Sequence, residues 1–327
     1  MDHLPSYRHL LSGEWNERIR SAFESAGKCR LCPRSCGVNR ICGVKGFCKA
    51  PGEMYISSIF PHHGEEPPVS GTRGSGTVFF SQCTLKCIFC QNYQISHLGE
   101  GRSYTPDELA QKMIGLQNTG CHNINLVTPD HFLPWILQAL RTASNAGLAV
   151  PIVYNCSGYE SVETLRLLSG IVDIYLPDMK YHDTGPSKKF SSAENYTTVN
   201  QAAIREMFRQ VGPLKTDSNG IAYKGLLVRH LVLPGGVAGS EQIVRFLAQT
   251  FDPDDITVSV MAQYRPLFKA SHHPDISRRI TFDEYEQAKN AFQAAGFDGY
   301  YQELKSMNED FVIDFTRRKE ERLKGGD

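Results

Sequence analysis

The second half of this 327-residue chain has no cysteine: all ten lie between Cys29 and Cys156, and eight of them between residues 29 and 90. Net charge is lacking too, since 35 basic side chains balance 35 acidic ones. A protein that coats nucleic acid or lies on a membrane surface usually carries an excess of Lys and Arg, so neither partner is expected. No apolar run approaches the length of about eighteen residues that a membrane-spanning helix needs. The start, Met1-Asp2-His3-Leu4-Pro5, has no basic segment leading into an apolar stretch, so a secretory signal is not expected and the cytoplasm is the expected location. There is no internal repeat and no low-complexity segment. With 41% hydrophobic and 21% charged residues, the composition is that of a globular protein and excludes wholesale disorder.

What is present divides the chain in three. Residues 1–75 hold a short helical lead-in, with Ser12 as candidate N-cap and Glu14 to Ala26 favouring helix. A stretch rich in Cys, Gly and Pro follows, with little periodicity and few apolar residues, so a bound metal is the expected organiser. Chains of this length need no disulfides to fold, and clustered cysteines in a reducing compartment read as metal ligands or catalytic thiols. From 76 to 300, strands and helices alternate as six β-then-α units. One helix opens with the capping box Thr105-Pro106-Asp107-Glu108. This alternation predicts an α/β protein with a parallel sheet, either doubly wound or a barrel. Residues 301–327 form a tail charged in both signs.

The strongest chemical signal is Cys83-Thr-Leu-Lys-Cys87-Ile-Phe-Cys90. Three thiolates at this spacing can hold three irons of a four-iron cluster from one loop, leaving the fourth iron open to a small chelating molecule. The loop follows the first predicted strand of the alternating region, and in α/β folds the C-terminal ends of strands are where sites are built. A zinc site is the competing reading, although zinc usually takes four paired ligands.

Cys-x3-Cys-x2-Cys with the aromatic Phe89 before its last cysteine resembles the signature of radical S-adenosylmethionine (SAM) enzymes. Further stretches resemble the pyruvate formate-lyase activating enzyme-like branch that carries a Cys-rich N-terminal extension. They are Cys32-Pro-Arg-Ser-Cys36, Gly64-Glu-Glu-Pro-Pro68, Val127-Thr-Pro129, Tyr154-Asn155, Tyr175-Leu-Pro-Asp-Met-Lys180, Val228 to Gly235 and Gln263-Tyr-Arg-Pro266. The resemblance implies a partial (β/α)6 barrel with a [4Fe-4S] cluster on Cys83, Cys87 and Cys90, and SAM chelating the open iron. Reduction would cleave SAM to methionine and a 5′-deoxyadenosyl radical that abstracts hydrogen from a substrate. That substrate is a glycine of a partner glycyl-radical enzyme or, in a second reading, a peptide or small molecule. A third reading is an iron–sulfur or zinc protein without turnover. An external electron donor such as a flavodoxin or ferredoxin is also implied.

Phe89, Thr128, Asn155, Asp178, Lys180 and Arg229 are carried over as cofactor-binding candidates. Where the family usually offers Gly-Gly-Glu to the SAM amino group, this chain has Val127-Thr-Pro-Asp130, so Thr128 and Asp130 compete for that role. Asp178 and Lys180 match the Asp-x-Lys of activating enzymes, and His230 is a further candidate beside Arg229. Cys29, Cys32, Cys36 and Cys48 fit the extension's own pattern and would hold a second [4Fe-4S] cluster or zinc, with Cys42 left over. Arg30, Arg34, Arg40, Lys45 and Lys49 surround them. Glu65-Glu66 before two prolines reads as a stiff exposed turn that could reach SAM or substrate. The pairs His62-His63 and His272-His273 read as surface loop residues.

Overall fold

The computed structural model describes residues 3–304 together with Ile313 and Phe315. Apart from those two residues, the charged tail after Asp310 lies outside the described residues. The strands are β1 (Met54–His62), β2 (Ser75–Phe80), β3 (Arg102–Tyr104), β4 (Ile124–Val127), β5 (Ile152–Cys156), β6 (Ile174–Pro177), β7 (Lys215–Thr216), β8 (Ala222–Leu231), β9 (Thr257–Met261) and β10 (Gly299–Tyr301). The helices are α1 (Ser12–Gly27), α2 (Pro67–Ser70), α3 (Tyr93–Ser96), α4 (Pro106–Asn118), α5 (Leu133–Asn145), α6 (Val162–Leu167), α7 (Thr184–Ser191), α8 (Tyr196–Val211), α9 (Ser240–Thr250) and α10 (Phe282–Ala294).

Across the sheet the order is β10-β9-β8-β6-β5-β4-β2-β1-β3, with β7 paired to β8 at the side. From β2 to β10 the strands are parallel and follow chain order without a reversal. A doubly wound sheet reverses direction partway and places helices on both faces. Right-handed crossovers that all step the same way place every helix on one face and leave the other concave. The strand order therefore selects the partial barrel, which is open because β3 and β10 end the path.

The helices form as the sequence directs. Thr105 accepts from Glu108 N at 3.2 Å while Glu108 Oε2 accepts from Thr105 N at 2.7 Å, closing the capping box. Thr281 and Glu284 cap α10 in the same way, and at α6 Ser161 accepts from Thr164 N. At α1 the cap is one residue earlier than expected. Glu14 Oε2 accepts from Leu11 N at 2.8 Å, so Ser12 is the first helical residue rather than the N-cap. The α1 helix packs outside α5 and α6, and Arg18 donates to the carbonyls of Leu167 and Ser169.

Two expectations are corrected inside residues 29–75. Met54–His62 has the strict alternation of a half-buried strand and pairs antiparallel with β2, so the extension adds a strand to the barrel sheet. Ser57, Ser58 and Pro61 mask the alternation in the sequence, and only pairing with β2 reveals it. The segment after it is not an exposed turn. Pro68, Val69 and Ser70 are buried, and Val69 packs against Val153, Leu176 and Leu227 on the concave face. Asn123 Nδ2 donates to Val69 O at 2.8 Å from that same face. This segment plugs the concave interior of the sheet.

Candidate active site

A cavity of about 500 Å³ opens at the C-terminal ends of the parallel strands. Cys83, Cys87 and Cys90 reach it from the loop after β2, Thr128 from the end of β4, Asn155 from β5, Asp178 and Lys180 from just past β6, and Arg229 from β8. Phe89 joins them, its ring edge-on to Tyr264. The cavity thus brings together all six cofactor-binding candidates and the three-cysteine loop. That loop turns sharply, with Gln82 and Lys86 at φ of 70° and 54°. Thr128, a β-branched residue at φ 55°, occupies a backbone region such residues rarely adopt. Its N–H is held by Asn155 O at 2.8 Å.

Burial pushes the Cys83 thiol up to about 12 and the Cys87 thiol to about 11, and raises Cys90 as well. Thiolates form in such a setting when a cation compensates them, as iron does. Hydrogen bonds also wait at the sulfurs: Ser191 Oγ donates to Cys87 Sγ at 3.1 Å, Ser96 Oγ to Cys90 Sγ at 3.2 Å, and Leu85 N to Cys83 Sγ at 3.3 Å. Donors to cluster sulfurs tune an iron–sulfur potential. The donor set fits a four-iron cluster held by three thiolates, with the cavity beside it for a chelating cofactor. Among the described residues, no three His, Cys, Asp or Glu side chains converge closely enough to hold a single metal ion.

The polar wall of the cavity is one connected network. Asp178 Oδ1 accepts from Arg229 Nε at 3.0 Å, and its Oδ2 accepts from Lys180 Nζ at 2.5 Å. Arg229 Nη2 donates to Asn155 Oδ1 at 2.5 Å, and Nη1 to Glu65 Oε2 at 3.3 Å. Glu65 Oε1 accepts from Asn125 Nδ2 at 2.9 Å and Asn155 Nδ2 at 3.1 Å. Burial works against the Asp178 carboxylate, but Arg229 and Lys180 outweigh it and hold the group below its ordinary value. Burial likewise works against the Lys180 ammonium, and Asp178 with Cys87 reverses the effect and raises it. For Glu65 burial wins over Arg229, and the carboxyl titrates above its ordinary value. Buried charges that are paired on every side this way are held rigidly, because releasing any one strands its partners.

Several assignments change on this geometry. Asp130 is absent from the cavity wall: its Oδ1 faces its neighbour His131 Nδ1 at 3.3 Å, leaving Thr128 as the cavity residue of that pair. His230 points outward from the sheet, between Met179 O at 2.8 Å and Ser240 Oγ at 2.8 Å, and is structural. His62 and His63 are not simple surface residues, for His62 ends β1 and both line the cavity. Glu65 is the network member with the thinnest claim from sequence, resting on the Gly64–Pro68 stretch alone. Ser96 and Ser191 had no sequence signal; the Ser191–Cys87 contact spans 104 residues.

The N-terminal cysteines stand apart. Cys29, Cys32 and Cys48 are buried, Cys36 is half-buried and Cys42 is exposed, and none lines the cavity. Burial pushes the Cys32 thiol well up and Cys48 up. Of the surrounding cations, Arg40 and Arg34 turn inward as struts. Arg40 is fully buried and donates to His131 O at 3.1 Å and Pro51 O at 2.7 Å. Arg34 donates to Thr84 O at 3.0 Å and Leu85 O at 3.3 Å in the cluster loop, and to the carbonyls of Ser191 and Ser192. The extension is thereby fastened to the loop that carries Cys83, Cys87 and Cys90.

A partial barrel with a three-cysteine loop after its first parallel strand defines a class, and comparison with known proteins agrees. Residues 77–181 match the family model of the radical SAM superfamily. The chain carries a radical SAM superfamily domain there, which supports a [4Fe-4S] cluster and SAM as its cofactors. It is 34% identical over 281 residues to the uncharacterised protein MJ0674 of Methanocaldococcus jannaschii, covering 84% of this chain and 76% of that one. Among solved structures it resembles HydG, a maturase of the [FeFe]-hydrogenase, with a TM-score of 0.50 and 11% identity, over 94% of this chain and 61% of HydG. Methylornithine synthase (PylB) matches with a TM-score of 0.44 and 14% identity, over 90% of this chain and 77% of that one. HydG supports the fold alone. Among the described residues no helix is long and apolar enough to cross a membrane.

Proposed function

We propose that the chain acts as an activating enzyme: it cleaves SAM reductively at a cluster on Cys83, Cys87 and Cys90 and removes hydrogen from a glycine of a partner glycyl-radical protein. The observation that carries this reading is the Asp178–Lys180 pair, joined to Arg229 in the cavity wall and matching the Asp-x-Lys of the pyruvate formate-lyase activating enzyme-like branch. A cluster held by Cys83, Cys87 and Cys90 would supply the electron for reductive cleavage of SAM. The chain's own residues bind and orient. Lys180 is the cation that meets the SAM carboxylate, and Asn155, able to donate and accept, suits the ribose or carboxylate. Thr128 offers its oxygen to the amino group. Phe89 shields the site beside Cys90.

Cys29, Cys32, Cys36 and Cys48 hold a second iron–sulfur cluster in this proposal, and the reductant is a flavodoxin or ferredoxin. The ten cysteines are all free thiols, which suits the reducing cytoplasm. The Cys-rich extension, which short activating enzymes lack, favours a second reading in which the substrate is a peptide or small molecule.

The test is anaerobic. After reconstitution with iron and sulfide, dithionite and SAM are added and 5′-deoxyadenosine is assayed, with a candidate glycyl-radical protein present or absent. Product that depends on the three cysteines, with an organic radical on the partner by electron paramagnetic resonance, supports the proposal. Product without a partner radical shifts the substrate to the second reading. A well-loaded protein whose reduced cluster shows no spectral change with SAM sinks both.

A further inference from the structure

The Cys-rich extension carries a surface that the barrel chemistry does not use. Between Lys28 and Gly52 the chain has six cations and no acidic residue, whereas the whole protein has a net charge of zero. Two of the six, Arg34 and Arg40, turn inward as struts. The other four, Lys28, Arg30, Lys45 and Lys49, are exposed. Among them stand three large apolar side chains open to solvent: Ile41 at 48%, Val44 at 50% and Phe47 at 36%. They account for three of the seven exposed large apolar side chains among the described residues, and lie within seven residues of chain. The turn presenting them is ordered by its own hydrogen bonds, Val44 N to Asn39 O at 3.1 Å, Gly43 N to Arg40 O at 3.0 Å and Cys42 N to Asn39 Oδ1 at 3.1 Å. Exposed apolar side chains interspersed along the chain with exposed cations, on a turn ordered by its own hydrogen bonds, have the composition of a transient protein interface.

The position of this surface says what it receives. Cys29, Cys32 and Cys48 are buried in the same twenty-residue module, and Arg34 ties that module to the carbonyls of Thr84 and Leu85 inside the Cys83–Cys90 loop. The Arg34 guanidinium also lies 3.8 Å over the Phe47 ring, so one side chain connects the exposed face to the cluster loop. We infer that the face formed by Ile41, Val44 and Phe47, with Lys28, Arg30, Lys45 and Lys49 around it, is the docking site of a small acidic redox protein that delivers single electrons. The inference rests on the proposed function, because it supplies the reducing electron that the proposal needs. Per encounter, the donor's reduced flavin or iron–sulfur centre loses one electron and an iron–sulfur centre of this chain gains it. Small, charge-steered, short-lived interfaces are the usual form of such encounters.

The experiment compares a donor that must dock with one that need not. Reduced flavodoxin, a small acidic flavoprotein, and dithionite each drive 5′-deoxyadenosine formation by wild-type, Lys45→Glu and Val44→Ser proteins. Lys45→Glu is expected to raise the flavodoxin concentration for half-maximal rate about tenfold and to weaken its salt dependence, since charge steering falls with ionic strength. Val44→Ser is expected to raise it about threefold, in line with a small loss of apolar contact. Dithionite rates should stay at the wild-type value in both. Calorimetric binding of oxidised flavodoxin to the iron-loaded chain reads docking without turnover, so it remains decisive if no radical chemistry is found. Equal flavodoxin dependence and equal binding in wild type and Lys45→Glu overturn the inference. So does wild-type binding to phosphatidylserine vesicles that Lys45→Glu abolishes while flavodoxin binding is unchanged, which would make the face a lipid site.

Discussion

Two cysteine groups share this chain and differ in almost every physical respect. Cys83, Cys87 and Cys90 sit on a loop rooted in β2, and four further strands, β4, β5, β6 and β8, bring Thr128, Asn155, Asp178, Lys180 and Arg229 to the same cavity. Cys29, Cys32, Cys36 and Cys48 sit in an irregular segment away from that cavity, with exposed cations beside them in the chain and a strut, Arg34, reaching the first group. Thiols alone do not make a reactive site. The first group can activate a ligand because the parallel sheet delivers charged partners to it from distant parts of the chain. The second is braced by Arg34 and Arg40 and lies outside the cavity where those partners meet.

The largest expected effect breaks the first region. Changing Cys83, Cys87 and Cys90 together to Ala should abolish 5′-deoxyadenosine formation, while iron analysis should still find about four irons per chain on the second group. Changing Cys29, Cys32 and Cys48 together to Ala should do the reverse. Iron falls by about half, dithionite-driven 5′-deoxyadenosine persists, and flavodoxin-driven formation is lost. If both variants lose the dithionite-driven reaction equally, the two regions are one functional unit and the contrast fails.

Arg34→Ala cuts the connection between the regions. It removes a charged donor from four carbonyls and should cost about 3 kcal/mol in urea unfolding, with earlier proteolytic cleavage in residues 28–52. His230 tests the rest of the barrel. Burial holds its imidazole down to about 4, against 6.5 when unfolded. The unfolded chain therefore takes up a proton as pH falls through 6.5, and the folded chain does not until about 4. Stability is full above that upper value and declines below it, by about 2 kcal/mol between pH 7 and pH 5. His230→Gln should remove that share of the slope in urea titrations at the two pH values. The smallest effect is at Cys42, the exposed thiol: Cys42→Ala should change stability by less than about 0.5 kcal/mol and leave the iron content as in wild type.

Much of this was legible in the sequence because it is local. The capping box at Thr105 and Glu108 closes within four residues, and the three-cysteine motif closes within eight. The alternation of strand and helix expected from 76 to 300 appears in the parallel strands from β2 to β10 and the helices between them. Asp178 and Lys180 were legible as a pair because they are two residues apart at the end of an apolar strand. What escaped is non-local. The β1 strand reads as a broken pattern until β2 lies beside it. Glu65 and Glu66 read as a solvated turn, yet Glu65 reaches Asn125, Asn155 and Arg229, the last of them 164 residues away. His230, beside Arg229 in sequence, faces the opposite side of its strand and leaves the site for that reason.

By itself the sequence determined the chemistry: three thiolates at iron–sulfur spacing, the aromatic beside them, the alternation that makes an α/β sheet, and the charged pair past β6. Short-range spacing is enough for these, because cluster ligation and capping are set by the chain's own reach. Only the tertiary structure decided between a doubly wound sheet and a partial barrel, since that depends on the order in which strands pair. It alone set the interior plug from Glu65 to Ser70, the four-carbonyl strut of Arg34, and the placing of Thr128 rather than Asp130 on the cavity wall. Each is a contact between segments far apart in the chain, and residue spacing carries no record of which distant segments meet.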